Sequence, residues 1–228
     1  MSTPSNSIRT GSRKKANYVL RVQAAMERYG TRAFAVLLYR SLCQWPHLRS
    51  RAIRLKLNLL LRSEIASTVR FGKDVFVTVP GGLLAIGDRT WIGDRCFIEV
   101  SPNPRAELSI GSNCYFAHDI HIGAYQEIVI GDNVRVAEFT SLRDTSHNYM
   151  DRSQPINQQG DDVGKLSIED DVWIGQGCII LGSRAGTVIR KGAVIGAHSV
   201  VKGSIPEYGI AVGAPAKIVG YREGAIAK

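Results

Sequence analysis

Isoleucine followed directly by glycine recurs along this chain, and the first three intervals between such pairs are multiples of six residues. Seven pairs occur: Ile86-Gly87, Ile92-Gly93, Ile110-Gly111, Ile122-Gly123, Ile130-Gly131, Ile174-Gly175 and Ile195-Gly196. Apolar residues without the glycine continue the spacing, as Phe116 does between Ile110 and Ile122. A period of six is neither the two-residue alternation of a strand nor the 3.6-residue period of a helix, so it predicts a repeat architecture.

A coil with three flat faces explains this period. Each face is a short strand followed by a corner, and it needs one inward aliphatic residue; stacked coils then share a continuous core. Glycine suits a tight corner and tolerates the positive φ that some corners require, and Asp or Asn often follows it, as expected of turn residues. Between Ile122 and Ile130 the spacing widens to eight, which predicts two extra residues at one corner.

The pattern of an aliphatic residue, glycine and four further residues resembles the hexapeptide-repeat acyltransferases over about residues 70–222. The phrase Gly213-Ala214-Pro215-Ala216-Lys217 resembles the segment that closes the helix in many of them. The resemblance implies an all-β fold, a left-handed parallel β-helix, and its hand comes from the resemblance alone. It also implies acetyl-CoA as co-substrate and a homotrimer with active sites at subunit interfaces.

We predict three segments. Residues 1–66 form a basic extension, partly disordered and then α-helical; residues 67–222 form the β-helix acyltransferase domain; and residues 223–228 form a tail. The six-residue rhythm stops over residues 143–165, which are mostly polar and predict a loop extruded from the solenoid. Long loops of this kind are usually functional or disordered.

The positive charge is concentrated at the N-terminus. Residues 1–64 contain thirteen Lys or Arg and two acidic residues, whereas the whole chain has a net charge of +9. Amphipathic basic helices with aromatic residues (Phe34, Tyr39 and Trp45) are typical of contact with an anionic membrane surface. The alternative is that they pack on the solenoid and support trimer formation. No nucleic-acid-binding motif accompanies the charge, so we expect no nucleic-acid partner.

The sequence favours a cytoplasmic protein, with peripheral membrane contact as the further expectation. No apolar run approaches the ~18 residues of a membrane-spanning helix, and the N-terminus has no apolar signal region. The four cysteines, Cys43, Cys96, Cys114 and Cys178, lack the spacing of a zinc site. The last three fall in the six-residue register, where cysteine packs as a small apolar residue.

His147, inside the extruded loop, is the first candidate for catalysis. In the galactoside, maltose and exopolysaccharide O-acetyltransferases that this sequence resembles, a loop histidine in the matching place is the general base. A sugar hydroxyl is a poor nucleophile until its proton is removed, and neutral imidazole suits that removal near neutral pH. Asp144 or a backbone carbonyl is expected to orient the imidazole.

The resemblance implies further site residues. It suggests that His118, Asp119 and Asp144 contact the acceptor substrate, although galactoside-type relatives have Asn where this chain has His118. The remaining positions are expected at acetyl-CoA: a backbone N–H near Gln176 as oxyanion donor, Ala197 at the pantetheine amides, and three cations at the phosphates, Lys202, Lys217 and Arg222. His118 and His121 also raise a zinc site of the γ-carbonic anhydrase type, but the closing phrase and the loop favour no metal.

We therefore predict an acetyl-CoA-dependent O-acetyltransferase that acts on a hydroxyl of a polysaccharide, a lipid-linked oligosaccharide or a glycoside. Transfer would be direct, with His147 as general base. The alternatives are an N-acyltransferase for nucleotide-linked amino sugars, a xenobiotic acetyltransferase of the streptogramin type, and a β-helix scaffold without enzymatic activity.

Overall fold

The structure is a computed structural model that describes residues 46–60 and 63–224. The helices predicted upstream of residue 46, together with Cys43 and the aromatic residues named above, lie outside the described residues, as does the tail beyond residue 224. Contacts between Cα atoms divide the chain into two compact units, Met1–Leu48 and Arg49–Lys228. The second unit contains the solenoid.

Within the described residues, twenty-two strands follow the helix α1 (Pro46–Leu60). The first four coils contain β1 (Ser63–Ile65), β2 (Arg70–Phe71), β3 (Phe76–Thr78), β4 (Leu83–Ile86), β5 (Trp91–Ile92), β6 (Phe97–Val100), β7 (Glu107–Ile110), β8 (Tyr115–Phe116), β9 (His121–Ala124), β10 (Glu127–Ile130), β11 (Arg135–Val136) and β12 (Ser141–Arg143). The extruded loop contains β13 (Thr145–His147), a 3-10 turn (Ile156–Gln158) and β14 (Asp161–Val163). The later coils contain β15 (Lys165–Ile168), β16 (Trp173–Ile174), β17 (Ile179–Leu181), β18 (Thr187–Ile189), β19 (Val194–Ile195), β20 (Val200–Val201), β21 (Gly209–Val212) and β22 (Lys217–Tyr221).

These strands stack into three flat faces around a common core. Face 1 contains β1, β4, β7, β10, β15 and β18; face 2 contains β2, β5, β8, β11, β16, β19, β21 and β22; face 3 contains β3, β6, β9, β12, β17 and β20. All neighbours within a face are parallel except the last pair, β21 and β22. The result is a left-handed β-helix of about seven turns, so the predicted fold class is confirmed. We name the corners by the faces they join: edge 1–2, edge 2–3 and edge 3–1.

The six-residue period places one apolar residue at the same height of every coil. On face 2, the residues in direct register are Ile92, Phe116, Val136, Ile174 and Ile195. All five are at most 1% exposed. Each inward side chain therefore packs on the equivalent side chains above and below it, which is how a solenoid forms one continuous core.

The repeat glycines are required for a different reason from the one expected. None of the seven Ile-Gly glycines has a positive φ; that conformation falls mainly on later corner residues such as Arg89, Asn113 and Asn133. A Cβ at Gly111 would lie 2.6 Å from the carbonyl oxygen of Gly131 in the next coil, and one at Gly175 would lie 2.7 Å from a backbone nitrogen. Six of the seven glycines, all except Gly123, therefore permit close stacking of coils, and the expectation of positive φ at these positions was wrong.

Small polar side chains tie successive corners together. Thr90, Cys96 and Cys178 stand two residues before an inward aliphatic residue, and each donates to a carbonyl in the next coil, at 2.8, 3.1 and 3.2 Å. Cys96, Cys114 and Cys178 are free and buried, as predicted. Burial raises the pKa of the Cys96 thiol to about 11, so these thiols serve packing.

Helix α1 satisfies backbone groups at the start of the solenoid, where β1 and β2 have only one neighbouring strand each. Ser50 accepts a hydrogen bond from the Phe71 N–H at 2.9 Å, and Arg54 donates to the Val69 carbonyl at 2.6 Å. Asn58 both donates to and accepts from the Ile65 backbone. These contacts pair polar backbone groups that another strand would otherwise bond. At the other end, the closing phrase connects β21 to β22, which runs antiparallel and ends the stack.

Candidate active site

His147 lies on a two-stranded ribbon that projects from edge 3–1. The ribbon pairs β13 with β14 in antiparallel register, with His147 opposite Asp161. The His147 Nδ1 atom is 2.7 Å from Asp161 Oδ1, and 77% of the His147 side chain is exposed. A carboxylate can only accept, so it selects the tautomer with hydrogen on Nδ1 and leaves the Nε2 lone pair free toward solvent. This is the arrangement of a general base with an orienting carboxylate.

Sequence reasoning did not find Asp161. Asp161 follows His147 by fourteen positions, and the intervening segment lacks the alternating apolar residues that indicate a hairpin. The adjacent pair Asp161-Asp162 was visible in the loop, but only the ribbon register decides which of the two faces the histidine. Asp162 points to the opposite side and forms an ion pair with Arg184.

Asp144 has a structural role, and neither orients the His147 imidazole nor faces the acceptor as suggested from the sequence. Its side chain is 1% exposed, and its oxygens accept hydrogen bonds from the backbone N–H groups of Tyr125, Gln126 and Glu127, each at 2.7 Å. Burial raises the pKa of the Asp144 carboxyl, while these three N–H groups oppose that shift. The structure thus corrects the expectation that Asp144 orients His147 or faces the acceptor: it holds the corner at which the period slips by two residues.

Three predicted positions lie on edge 2–3. His118, Gln176 and Ala197 occupy the same corner position, with Glu138 of the intervening coil between His118 and Gln176. Backbone bonds from Phe139 to His118, from Gly177 to Glu138 and from His198 to Gln176 connect these corners. Gln176 and Ala197 are therefore neighbours along the axis, as a bound pantetheine chain would require. His147 stands on another edge of the same chain.

Asp119 is engaged by its neighbours on the same edge. Arg95 donates to its two carboxylate oxygens at 2.8 and 2.5 Å, and His118 Nδ1 lies 2.7 Å from one of them. Arg95, and then His118, lower the pKa of Asp119 to about 2. Asp119 is thus ionised and positions the His118 ring, which also meets the Phe139 ring edge-on at 5.3 Å.

The three predicted phosphate-binding cations are not brought together within one chain. Lys202 follows β20 on edge 3–1, the edge that also carries the His147 ribbon, whereas Lys217 lies in β22. Arg222 donates to Asp171 at 2.8 Å and to the Gly192 carbonyl at 3.1 Å on edge 1–2, and it stacks over the Tyr208 ring. Asp171 therefore already compensates the charge of Arg222 in the single chain.

A pair of polar side chains that the sequence analysis did not assign to the acetyltransferase site, His121 and Arg143, lies on face 3 beside the ribbon. His121 and Arg143 flank Gly123, where an added Cβ would find its nearest neighbours only at 3.8 Å. Within the described ranges, neither His121 Nε2 nor Arg143 Nε has a hydrogen-bond partner. Burial, and then the charge of Arg143, lower the pKa of His121. Gly123 thus differs from the other Ile-Gly glycines, because the atoms nearest to an added Cβ there belong to side chains at ordinary contact distance.

The described part of the chain offers neither a metal site nor a membrane-spanning helix. No cluster of three or more His, Cys, Asp or Glu side chains there could hold a metal ion. No helix in those ranges has the length and hydrophobicity needed to span a bilayer.

Comparison with known proteins places the chain among acetyltransferases, although no family model matches it. It is 37% identical to a probable acetyltransferase of Mycobacterium tuberculosis over 67% of its own length, and it spans about half (49%) of that relative. It is 26% identical to the galactoside O-acetyltransferase of Escherichia coli, over 80% of this chain and 83% of the relative.

Solved structures agree on the fold. A crystal structure of a mutant of AntD, an N-acyltransferase from Bacillus cereus, in complex with dTDP-4-amino-4,6-dideoxyglucose and coenzyme A, superposes with a TM-score of 0.62. That comparison covers 76% of this chain and 90% of the other at 25% identity. The six-residue period, the β-helix and these relatives together show that the chain belongs to the hexapeptide-repeat acetyltransferase family.

Proposed function

We propose that the protein is an acetyl-CoA-dependent O-acetyltransferase that acts on a sugar hydroxyl of a polysaccharide, a lipid-linked oligosaccharide or a glycoside. The observation that carries this proposal is the pairing of His147 with Asp161 on an exposed ribbon. An imidazole held by a carboxylate, with its second nitrogen free, is what deprotonation of a hydroxyl requires. An amine acceptor has less need of such a base.

In the proposed reaction, Nε2 of His147 takes the hydroxyl proton as the oxygen attacks the thioester carbonyl. The tetrahedral oxyanion then collapses, the C–S bond breaks, and the proton on His147 passes to the departing CoA thiolate. The family resemblance suggests the backbone N–H of Gln176 as the oxyanion donor; the neighbouring Gly177 N–H already bonds to the Glu138 carbonyl. No covalent enzyme intermediate is needed, in keeping with the buried, un-ionised thiols.

The separation of the candidate residues supports a site shared between subunits. Gln176 and Ala197 line one edge, while His147 and Lys202 stand on another. An elongated pantetheine chain cannot follow two edges of one prism, so we infer that it lies in a groove between copies of a homotrimer. Light scattering of the purified protein checks this: a trimeric mass is expected, and a monomer would contradict the shared site.

An acceptor screen tests the proposed activity directly. The protein is incubated with acetyl-CoA and neutral sugars, amino sugars or streptogramins, and release of the CoA thiol is recorded. We expect release with neutral glycosides and an O-acetyl ester in the product by NMR. Thermal-shift binding of coenzyme A is the control, because absence of both binding and thiol release would favour a scaffold.

N-acylation of a nucleotide-linked amino sugar is the second candidate, because the AntD complex contains such a sugar together with coenzyme A. The same screen separates the two activities. An amide product formed from an amino sugar, at a rate unchanged by His147→Ala, would replace the proposed function with this one.

We also propose that the basic N-terminal region contacts anionic membrane. On α1, Leu48, Leu55 and Leu59 are 41%, 60% and 72% exposed and follow helical spacing on one side, with Arg51 and Lys56 exposed as well. An apolar stripe with basic residues is typical of a helix that lies in a bilayer surface. Flotation of the full chain with phosphatidylserine vesicles is expected, with loss in Leu55→Glu; equal flotation with phosphatidylcholine would argue against it.

A further inference from the structure

A cleft of about 480 Å³ lies on edge 3–1 next to the His147 ribbon. One wall is the turn after β6, which contributes Ser101, Asn103 and Arg105, and a second wall is the corner at residues 125–127. Val163 of the ribbon closes the third side. The cleft is thus formed by two interruptions of the repeat and by the loop that carries the candidate base.

His147 and Val163, the ribbon residue that lines the cleft, lie on the same side of the ribbon. Successive side chains of a strand alternate between its two sides, so Asp161 and Val163 face the same side, together with His147 opposite Asp161. Two residues along a strand span about 7 Å. The His147–Asp161 pair and the wall of the cleft are therefore adjacent positions along one surface. Tyr125 lines the cleft, and burial first, then the carboxylates of Glu99 and Asp161, raise its pKa, so the charge of Asp161 reaches this lining residue.

The floor of the cleft is rigidly built. The buried Asp144 carboxylate holds the backbone of residues 125–127 by three hydrogen bonds. On the facing turn, Ser101 Oγ accepts from the Asn103 N–H, and Asn103 Oδ1 accepts from the Arg105 N–H. The lining groups thus occupy fixed positions before any ligand arrives, which lowers the entropic cost of binding.

The chemistry of the lining suits a saccharide. Ser101, Asn103 and Gln126 each offer both donors and acceptors, as sugar hydroxyl groups do, and Tyr125 adds an aromatic surface. The single acidic lining residue, Glu127, is paired with Lys165 at 2.8 Å, while Arg105 adds a positive charge. The cleft therefore favours neutral or acidic hydroxyl-rich groups and offers no free carboxylate for an ammonium group.

We propose that this cleft binds a second sugar unit of the acceptor, next to the unit whose hydroxyl faces His147. This rests on the proposed function and extends it: the preferred acceptor is a glycan of two or more units, and a single sugar leaves the cleft empty. Binding energy gained away from the reacting hydroxyl then raises kcat/KM for the longer acceptor.

The test compares methyl galactoside with a galactose disaccharide, and the matching glucose and mannose pairs, as acceptors. Wild-type protein is expected to use the best disaccharide about tenfold or more efficiently than its single sugar, the effect of one or two well-made hydrogen bonds. Val163→Trp fills the cleft from its surface, and Gln126→Ala removes a polar group; both should abolish most of this preference while leaving transfer to the single sugar unchanged.

Matched controls are available in the same chain. Val129, on the outer side of face 1, is 37% exposed against 36% for Val163, so Val129→Trp controls for the bulk of the added ring. Gln158→Ala, on the exposed turn at the far end of the loop, controls for loss of an amide. Both controls should keep the disaccharide preference.

These experiments distinguish failure of the cleft proposal from failure of the proposed acetyltransferase function. Equal use of both acceptor lengths by wild-type protein, or a preference that survives Val163→Trp, overturns the proposal. A loss of equal size for both acceptors in Val163→Trp does so as well. If no acceptor is acetylated, the proposed function fails, and NMR titration with the disaccharides decides the cleft alone. Perturbed Tyr125 and Gln126 amide signals would support it, and unchanged signals would end it.

Discussion

The regular coils and the extruded ribbon differ in which side chains they bury and which they expose. In the coils, a residue such as Ile122 has equivalents directly above and below it and is 1% exposed, whereas Ile156 in the loop is 54% exposed. The coils bury apolar side chains along a shared axis, whereas the ribbon presents polar side chains such as His147 and Asp161 to solvent. The difference shows that stacking supplies stability, and that the chemical groups gather where stacking is interrupted.

The largest expected effect is on the ribbon side of this comparison. His147→Ala should lower the rate of acetyl transfer by roughly 10²–10⁴-fold, the usual contribution of a general base. Because the side chain is largely exposed, the melting temperature should stay unchanged. Steady-state kinetics and calorimetry measure the two, and a variant that keeps full activity would remove His147 from the mechanism.

A substitution in the core of the coils should instead lower the free energy of unfolding. Ile122→Ala removes a fully buried side chain and should cost about 2–5 kcal/mol of unfolding free energy. Its matched control, Ile156→Ala, should change the unfolding free energy by less than about 0.5 kcal/mol. Urea denaturation of both variants measures the contrast, and equal losses would mean that the loop is as tightly packed as the coils.

Asp161→Asn tests the connection between the two strands of the ribbon. The amide can still contact Nδ1 but no longer carries the charge that orients the imidazole, so kcat should fall about 10- to 100-fold. KM for acetyl-CoA should not change, because Asp161 contacts the imidazole of His147 and is expected to act on the reaction only through it. If KM rises and kcat holds, Asp161 binds substrate and does not position His147.

Asp144→Asn tests the junction between coil and loop. The amide replaces one acceptor oxygen, so at least one of three buried N–H groups loses its partner, at a cost of about 1–3 kcal/mol. The corner at residues 125–127 should loosen, and hydrogen exchange at those amides should speed up. Protection at the wild-type level would show that the carboxylate is not what holds the corner.

The smallest effect is expected from the thiols of the coils. Because burial raises the pKa of Cys96 to about 11, only about a thousandth of it is thiolate at pH 8, and only the thiolate reacts. Iodoacetamide should therefore leave Cys96, Cys114 and Cys178 unmodified in native protein and alkylate all three in urea. Peptide mapping resolves the three sites, and rapid native modification would indicate open coils.

The fold was predictable because one local rule repeats. An inward aliphatic residue every sixth position, with glycine after it, is visible without any knowledge of contacts. The reason for the glycine was less visible: a clash with the next coil, as at Gly111, involves residues about twenty positions away. Of the site, His147 could be named from its place in a family-like loop, but Asp161 and the role of Asp144 could not.

The sequence by itself determined the solenoid, its three faces and the place where its period fails, because each coil depends only on its own short pattern and its nearest neighbours. The tertiary structure decided which carboxylate meets His147, which one is buried beneath the corner, and where the cleft opens. Those outcomes depend on the register of an irregular ribbon and on corners from different coils. No repeating pattern encodes such long-range geometry, so only the folded chain reveals it.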